Sequence, residues 1–418
     1  MDWMSTQRFD VAPQESSPRR SARIGELQEQ VATLLPRLRI AVIFGGSKAA
    51  EGAVINQTVN SRSWKSYEAV ANDIAAALQR LGCGQVLVVP EDMRLGERLK
   101  QEDVHLAWLN SGGVQGYSPV AHAPAMLEML GLPYIGHDPL TAASLDNKLA
   151  FKRQIKAAGI PTASFLGWHP ASGPLDPARN EAFQRVFAGW TGGFVVKPVS
   201  GRASLNVMFA ESQEALPELV EHIFLATHNQ VLIETFLPGR EYCVAVCGPV
   251  IARGRALDRL GEAFAFAEVE RVLDPDERIF TSMDKRPITR DRVRPLNAAE
   301  DDADAPVRRG LRNLGRRVFA DLALETLVRL DVRANEHGEL FVLEANPKPD
   351  LKAPEGQVTS LICAGLEEQS MDYDDLILSL LADRLDRLFS HRRGAAHQLL
   401  ALAGPAGELL QTGVHDGS

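Results

Sequence analysis

The segment RLDVRANEHGELFVLEAN, residues 329–346, combines two carboxylates, an arginine and a side-chain amide at spacings that allow joint chemistry. His337-Gly338 reads as a two-residue turn between two strands. Asp331 then faces Glu344, and Arg329 faces Asn346. Side chains alternate along a strand, so all four share one face. Leu330, Val332, Ala334, Phe341, Leu343 and Ala345 make the other face, which is apolar and expected to be buried. Carboxylates directly opposite each other destabilise a sheet by up to about 1 kcal/mol. A hard divalent cation relieves that repulsion, and Mg²⁺ needs only one or two carboxylates when substrate phosphates complete its shell. The alternative is a surface hairpin whose charges are solvated.

Two further segments carry charge at the ends of apolar strands. Lys197 closes FVVKP, Pro198 stops the strand, and the loop Ser200-Gly201-Arg202-Ala203-Ser204 follows. Such a loop can lay backbone N–H groups on phosphates, whereas a lone lysine is otherwise a solvated charge. Glu234 ends VLIE, and Glu241 follows Pro238-Gly239. The Glu241 carboxylate suits a pair of hydroxyls or, equally, an arginine at a domain edge.

The elements that must position these groups follow from periodicity. From Arg39, short apolar runs (RIAVIF, QVLVV, VHLAWL) alternate with helical stretches, which predicts a parallel-sheet α/β domain. One helix is expected over 65–81, where Tyr67, Val70, Ala71, Ile74, Leu78 and Leu81 share a face and Gly82 ends it. Gly45-Gly46 and Ser111-Gly112-Gly113 follow strands, at the end of a parallel sheet where ligands bind; a tight turn explains each equally well. A helix from Thr141 through Ala158 opens a second unit. A final helix, 372–389, carries the stripe Leu376, Ile377, Leu380, Leu381, Leu385 and Leu388 behind an Asp372 cap. The expected division is a polar arm (1–36), an α/β domain (37–140), two further units (141–235 and 236–391) and a tail (392–418).

Composition narrows the function classes. The 418 residues carry a formal net charge of -9, which argues against a sequence-independent grip on nucleic acid or anionic lipid. Cys83, Cys243, Cys247 and Cys363 lack metal-ligand spacing and read as buried thiols in a reducing compartment. The opening MDWMSTQRFD is unlike a secretory leader and no apolar run is long enough to span a bilayer, so the cytoplasm is the expected location. A homodimer is the default expectation for assembly.

Five ordered blocks resemble the D-alanine-D-alanine ligases of the ATP-grasp superfamily: IAVIFGG, LEMLGLPYIGHDPLTAASLDNKLAFKRQIKAAGIP, FVVKPVSGRAS, VLIETFLPGREYCVAV and the pair RLD with LEAN. The resemblance spans roughly residues 39–389 and implies an ATP-grasp α/β fold. In that fold an N-terminal Rossmann-like parallel-sheet domain precedes two α+β subdomains. It further implies ATP bound by Lys148, Lys197, Ser200, Gly201, Ser204, Glu234, Thr235, Leu237 and Glu241. Asp331, Glu344 and Asn346 would hold two Mg²⁺ ions, with Mn²⁺ as a substitute, and Arg329 would steady the acyl phosphate and the oxyanion that follows. Glu51 would hold a substrate amino group.

The implied reaction joins a small carboxylate to an amine through an acyl phosphate, releasing ADP and phosphate. The chain departs from the family at three places: PKPDLKAPEG replaces a Pro-Gly-Met turn after LEAN, an insertion including NQTVNSRSW separates Gly46 from its helix, and 258–294 aligns poorly with the family's lid. Lys285 and Arg286 are the candidates there for closing over phosphates. Substrates other than D-alanine are therefore expected. The competing expectations are a ligase acting on a carrier or thiol, and a nucleotide-binding protein without turnover.

Overall fold

The computed structural model describes residues 17–46, 66–114, 116, 118–201, 205–274, 277–279, 292–296, 302–355, 359–391, 399 and 401–402. Glu51, Ser204, Lys285 and Arg286 lie outside them. Four parallel strands form the first sheet: β1 (Arg39–Phe44), β2 (Gln85–Pro90), β3 (Leu106–Leu109) and β4 (Tyr134–Ile135), in the order β2-β1-β3-β4. Alternate residues of β1 feed two different cores, Ile40, Val42 and Phe44 on one side and Ala41 and Ile43 on the other. This is why its sequence is continuously apolar.

The predicted helix over 65–81 is observed as Glu68–Arg80, with Gly82 in the left-handed region at φ 91°. It shares its core with the last helix, Tyr373–His391, whose leucine stripe is buried as expected. Asp372 caps that helix by accepting from the Asp375 backbone N–H at 2.8 Å. The N-terminal helix, Ser17–Leu34, is docked on the same core through Leu27, Val31 and Leu34, so the described part of the polar arm is not a free appendage. Those three residues repeat at helical spacing within an otherwise charged segment.

Two antiparallel sheets follow. One contains β5 (Phe165–Trp168), β6 (Phe194–Pro198), β7 (Met208–Ala210) and β8 (Val231–Thr235), ordered β5-β8-β6-β7. The chain continues through β9 (Glu241–Cys247), the small hairpin β10 (Val250–Arg253) with β11 (Ala256–Arg259), then β12 (Phe264–Arg271), β13 (Val293–Pro295), β14 (Val328–Ala334) and β15 (Leu340–Asn346). The larger sheet has the order β13-β12-β9-β14-β15. The helix expected over 141–158 is two helices, Pro139–Asp146 and Lys148–Ala157. Asn147 is extended between them at ψ 104°, and its side chain accepts from the Ala150 N–H. The break places Lys148 in the first turn of the second helix.

The hairpin β14-β15 corrects the expected turn. Its regular pairing ends at Ala334–Leu340, Asn335 N–H donates to Glu339 O at 3.0 Å, and Gly338 takes φ 78°. The loop therefore holds Glu336, His337 and Gly338 and not two residues. A β-bulge at Leu343 adds one residue to β15 and restores the Asp331–Glu344 and Arg329–Asn346 pairs. The bulge also breaks the alternation. Phe341 pairs with Arg333 and leaves the apolar back, where Val342 is buried with Leu330, Val332 and Ala345 instead.

Gly239, between β8 and β9, carries the β9–β14 pairing one step beyond the start of β9. Its N–H donates to Ala334 O at 3.0 Å, and a Cβ there would lie 2.6 Å from Ala334 O and 2.7 Å from Asn335 O. Gly239→Ala should cost about 1–3 kcal/mol, seen as a lower urea midpoint at unchanged slope. A wild-type midpoint would mean the hairpin yields freely. The four cysteines are buried and unbonded, and burial pushes the thiols of Cys243 and Cys363 up to about 12. Among the described residues no helix is long and apolar enough to cross a membrane.

Candidate active site

The open end of the β14-β15 hairpin brings Arg329, Asp331, Glu344 and Asn346 to one face, but the two carboxylates are treated differently. Asp331 is buried and accepts from Arg329 (Nε to Oδ1 2.8 Å, Nη2 to Oδ2 3.1 Å) and from Arg271 (Nη2 to Oδ2 2.9 Å). Burial raises its pKa, but Arg271 and Arg329 outweigh that and hold it below the ordinary aspartate value. Asn346 Nδ2 lies 3.5 Å from Asp331 Oδ2. Glu344 is partly exposed and has Lys148 Nζ at 3.5 Å.

The β5–β8 sheet and the helix Lys148–Ala157 packed on it supply the cations. Lys197, at the end of β6, places Nζ 2.5 Å from Glu234 Oε2 on the adjacent strand β8. The other Glu234 oxygen pairs with Lys152, which is fully buried. Lys152 also donates to Thr162 Oγ1 at 2.5 Å, and Thr162 donates to Val342 O at 2.7 Å, tying this sheet to the metal-candidate hairpin. Burial keeps Lys152 below the usual lysine range, whereas Glu234 and Glu344 overcome burial and hold Lys197 above it. Lys148 Nζ donates to Gly201 O at 3.0 Å, and Asn229 Nδ2 donates to Ser200 Oγ at 2.8 Å, so both described ends of this arrangement meet at the loop after β6.

Beyond β8, Thr235 and Leu237 are buried in the hinge, and Phe236 packs edge-on against Phe209 with centroids 4.9 Å apart. Glu241 opens β9 and accepts from Arg271 at 2.8 Å and Arg333 at 3.3 Å, the arginine pairing that its sequence left open. The described site is thus closed on itself: each of its carboxylates faces at least one lysine or arginine.

Three members of this network were not singled out in the sequence. Lys152 stands four residues after Lys148 on one helix, a spacing that puts both on one face. Arg271 ends a strand paired directly with Glu241, which only the tertiary register reveals. Arg333 sits two residues beyond Asp331 on the same face, stacked over Phe236 at 4.8 Å.

The family described as D-ala D-ala ligase C-terminus matches residues 154–382, more than half of the chain. The chain belongs to that family. This member of the ligase family is 28% identical over 313 residues to the D-alanine–D-alanine ligase of Gloeobacter violaceus, covering 75% of this chain and 92% of the relative. It is 25% identical over 309 residues to the uncharacterized protein y4sG of Sinorhizobium fredii, covering 72% and 84%. Its fold matches the D-alanine–D-alanine ligase of Bacillus anthracis complexed with ATP at TM-score 0.61 and 18% identity, over 85% of this chain and all of the other. The VanG D-Ala:D-Ser ligase of Enterococcus faecalis follows at TM-score 0.57 and 16% identity, over 83% and 99%. The expected ATP-grasp architecture is the one observed. The matched span contains Lys197, Glu234, Glu241, Asp331, Glu344 and Asn346, while Lys148 and Glu51 precede it.

Proposed function

We propose that this ligase joins a small carboxylate to an amine at the expense of ATP, releasing ADP and phosphate, with Lys148, Lys197 and the loop from Ser200 holding the phosphates. The observation that carries the reading is the convergence of Lys148, Lys197, Glu234 and Glu344 in one charge network, with Asp331 paired in register across the hairpin from Glu344. Thr235 and Leu237 offer hinge backbone groups to the adenine, and Glu241 is placed to accept from the ribose hydroxyls. Asp331, Glu344 and Asn346 present only oxygen donors, the set that suits Mg²⁺ or Mn²⁺. Among the described residues there is no cage of three or more His, Cys, Asp or Glu side chains. That fits an ion or ion pair whose remaining ligands are phosphate oxygens and water. When bound, Mg²⁺ supplies charge stabilisation for the transferred phosphoryl group.

The lysines and arginines act by position. Phosphate oxygens replace the carboxylates that Lys148 and Lys197 now face. Arg329 turns its planar fork from Asp331 to the acyl phosphate and then to the tetrahedral oxyanion. Arg271 retains Glu241 when Asp331 is recruited, so that carboxylate stays oriented.

The test is ADP release with ATP and Mg²⁺ across pairs of amino acids and amines. Turnover should require both an acid and an amine. D-alanine alone should give little phosphate, because Lys348-Pro349-Asp350 stand where the family's second-substrate turn resembles Pro-Gly-Met. Rapid D-alanine dipeptide formation at low millimolar substrate would overturn that specificity, and ADP release independent of any acid would overturn the ligase reading.

A further inference from the structure

A second set of polar side chains gathers beside the hairpin without belonging to the charge network. A small cleft lies at the carboxyl ends of the parallel strands, where open α/β sheets bind ligands. Glu91 follows β2, Ser111 follows β3, His137 follows β4, and Pro347 and Lys348 continue from Asn346. All five line it, together with apolar residues such as Val120. Its lining therefore includes Pro347, the residue next to a candidate metal ligand.

The floor of the cleft carries two buried acceptors. Glu91 is 5% exposed, and its Oε2 has no hydrogen-bond partner among the described residues. Its recorded interaction is with the Ser111 hydroxyl, and burial pushes the carboxyl up to about 7. His137 is 4% exposed, with Nε2 3.3 Å from Leu327 O. Burial lowers its pKa to about 4, so the ring is neutral near pH 7. A neutral ring facing a carbonyl through Nε2 must donate there, which leaves Nδ1 as an acceptor. Nδ1 too has no partner among the described residues. Lys348, by contrast, holds its ammonium 3.1 Å from the centroid of the Tyr67 ring.

Buried acceptors without donors are costly, and a carboxylate most of all. Burial leaves Glu91 poised to take up a proton near pH 7, and a compact group with several N–H donors and positive charge would serve both acceptors and hold the carboxylate ionised. We infer that this cleft is a specificity pocket for a distal substrate ammonium group, distinct from the amine that is acylated and from the α-ammonium of the activated acid, so that one substrate is a short diamino acid or diamine. Glu91 Oε2 and His137 Nδ1 accept from that ammonium, and the apolar wall takes the short methylene chain. An alanine-like methyl would leave both acceptors unpaired. The inference rests on the ligase reading above and specifies one of its substrates.

The experiment measures ligand binding by calorimetry in the presence of Mg²⁺ and a non-hydrolysable ATP analogue. The probes are 2,3-diaminopropionate, 2,4-diaminobutyrate, ornithine and 1,3-diaminopropane, each against the analogue with methyl in place of the distal ammonium. At least one diamino compound should bind wild type about tenfold or more tightly than its methyl counterpart, since a site built to pair polar groups rejects ligands lacking them. Glu91→Gln should bring that ratio close to one while leaving affinity for the ATP analogue unchanged. The wild-type comparison stands even if the variant folds poorly. Equal or tighter binding of the methyl compounds, or no binding of any diamino probe while the nucleotide binds, overturns the inference and leaves the ligase reading intact. Failure of the nucleotide itself to bind overturns both.

Discussion

Glu344→Gln should reduce ADP release by about 10²–10³-fold and leave the melting temperature of the nucleotide-free protein unchanged. The first half follows from the loss of a charged oxygen donor in the proposed Mg²⁺ site. The second follows from its surroundings: Glu344 is partly exposed and its recorded ion pair, with Lys148, is 3.5 Å long. Relief of the repulsion from Asp331 offsets what that pair contributes. Asp331→Asn should abolish turnover as well, but at a different cost to the fold. Its carboxylate accepts from two arginines, and although Arg271 keeps Glu241, weakening both of these charged hydrogen bonds in a buried site costs about 1–3 kcal/mol. Paired measurements of ADP release against Mg²⁺ concentration and of melting temperature separate these outcomes. Near-normal turnover in the Gln variant would remove the metal assignment, and equal melting temperatures for the two variants would show that the arginines find other partners.

The largest expected stability loss lies at Glu234. This carboxylate is buried between two lysines, Lys152 and Lys197, and Gln in its place would leave two ammonium groups facing one amide. Glu234→Gln should destabilise the protein by about 3–5 kcal/mol near neutral pH. The pH dependence has a definite sign. Burial opposes ionisation of Glu234, but Lys152 and Lys197 outweigh it and hold the folded pKa below the ordinary value of 4.5. The stabilisation is therefore complete above about pH 4.5 and is lost as the pH falls through the lower folded value. Urea midpoints should converge for wild type and variant in acid and separate towards neutrality. A constant gap across that range would show that Glu234 does not titrate as part of the pair. Glu234→Leu combined with Lys152→Met and Lys197→Met should recover part of the loss, because the buried carboxylate then leaves together with both of its partners.

These two glutamates also mark what could be read without coordinates. Period-two patterning made the hairpin and the shared face of Asp331 and Glu344 legible, because alternation is a local property of the chain. Lys197 was legible for a similar reason, standing where an apolar strand stops before a turn. The unequal treatment of the carboxylates was not legible. It depends on Arg271, which reaches Asp331 and Glu241 from β12, 60 residues before Asp331 in sequence. The charged stretch around Arg271 gave no periodic signal to align. Likewise, Glu91 and His137 lie in loops whose sequence says turn, and only the parallel sheet brings those loops to one cleft. The helix break at Asn147 escaped because a short polar residue within a helical run is tolerated as often as it caps. For the N-terminal helix, a high density of charge obscured a three-residue apolar stripe.

The bulge at Leu343 divides the hairpin into two segments with separate phasing. On the loop side, strand positions are counted from the three-residue turn; on the side of Glu344 they are counted from the pairing of Arg329 with Asn346. Leu343 acts as a vernier between the two scales. A residue gained or lost at Glu336-His337-Gly338 can then be absorbed by deepening or erasing the bulge, without sliding Glu344 past Asp331. The tip of the hairpin is free to vary in length over evolutionary time while the spacing of the oxygen donors stays fixed.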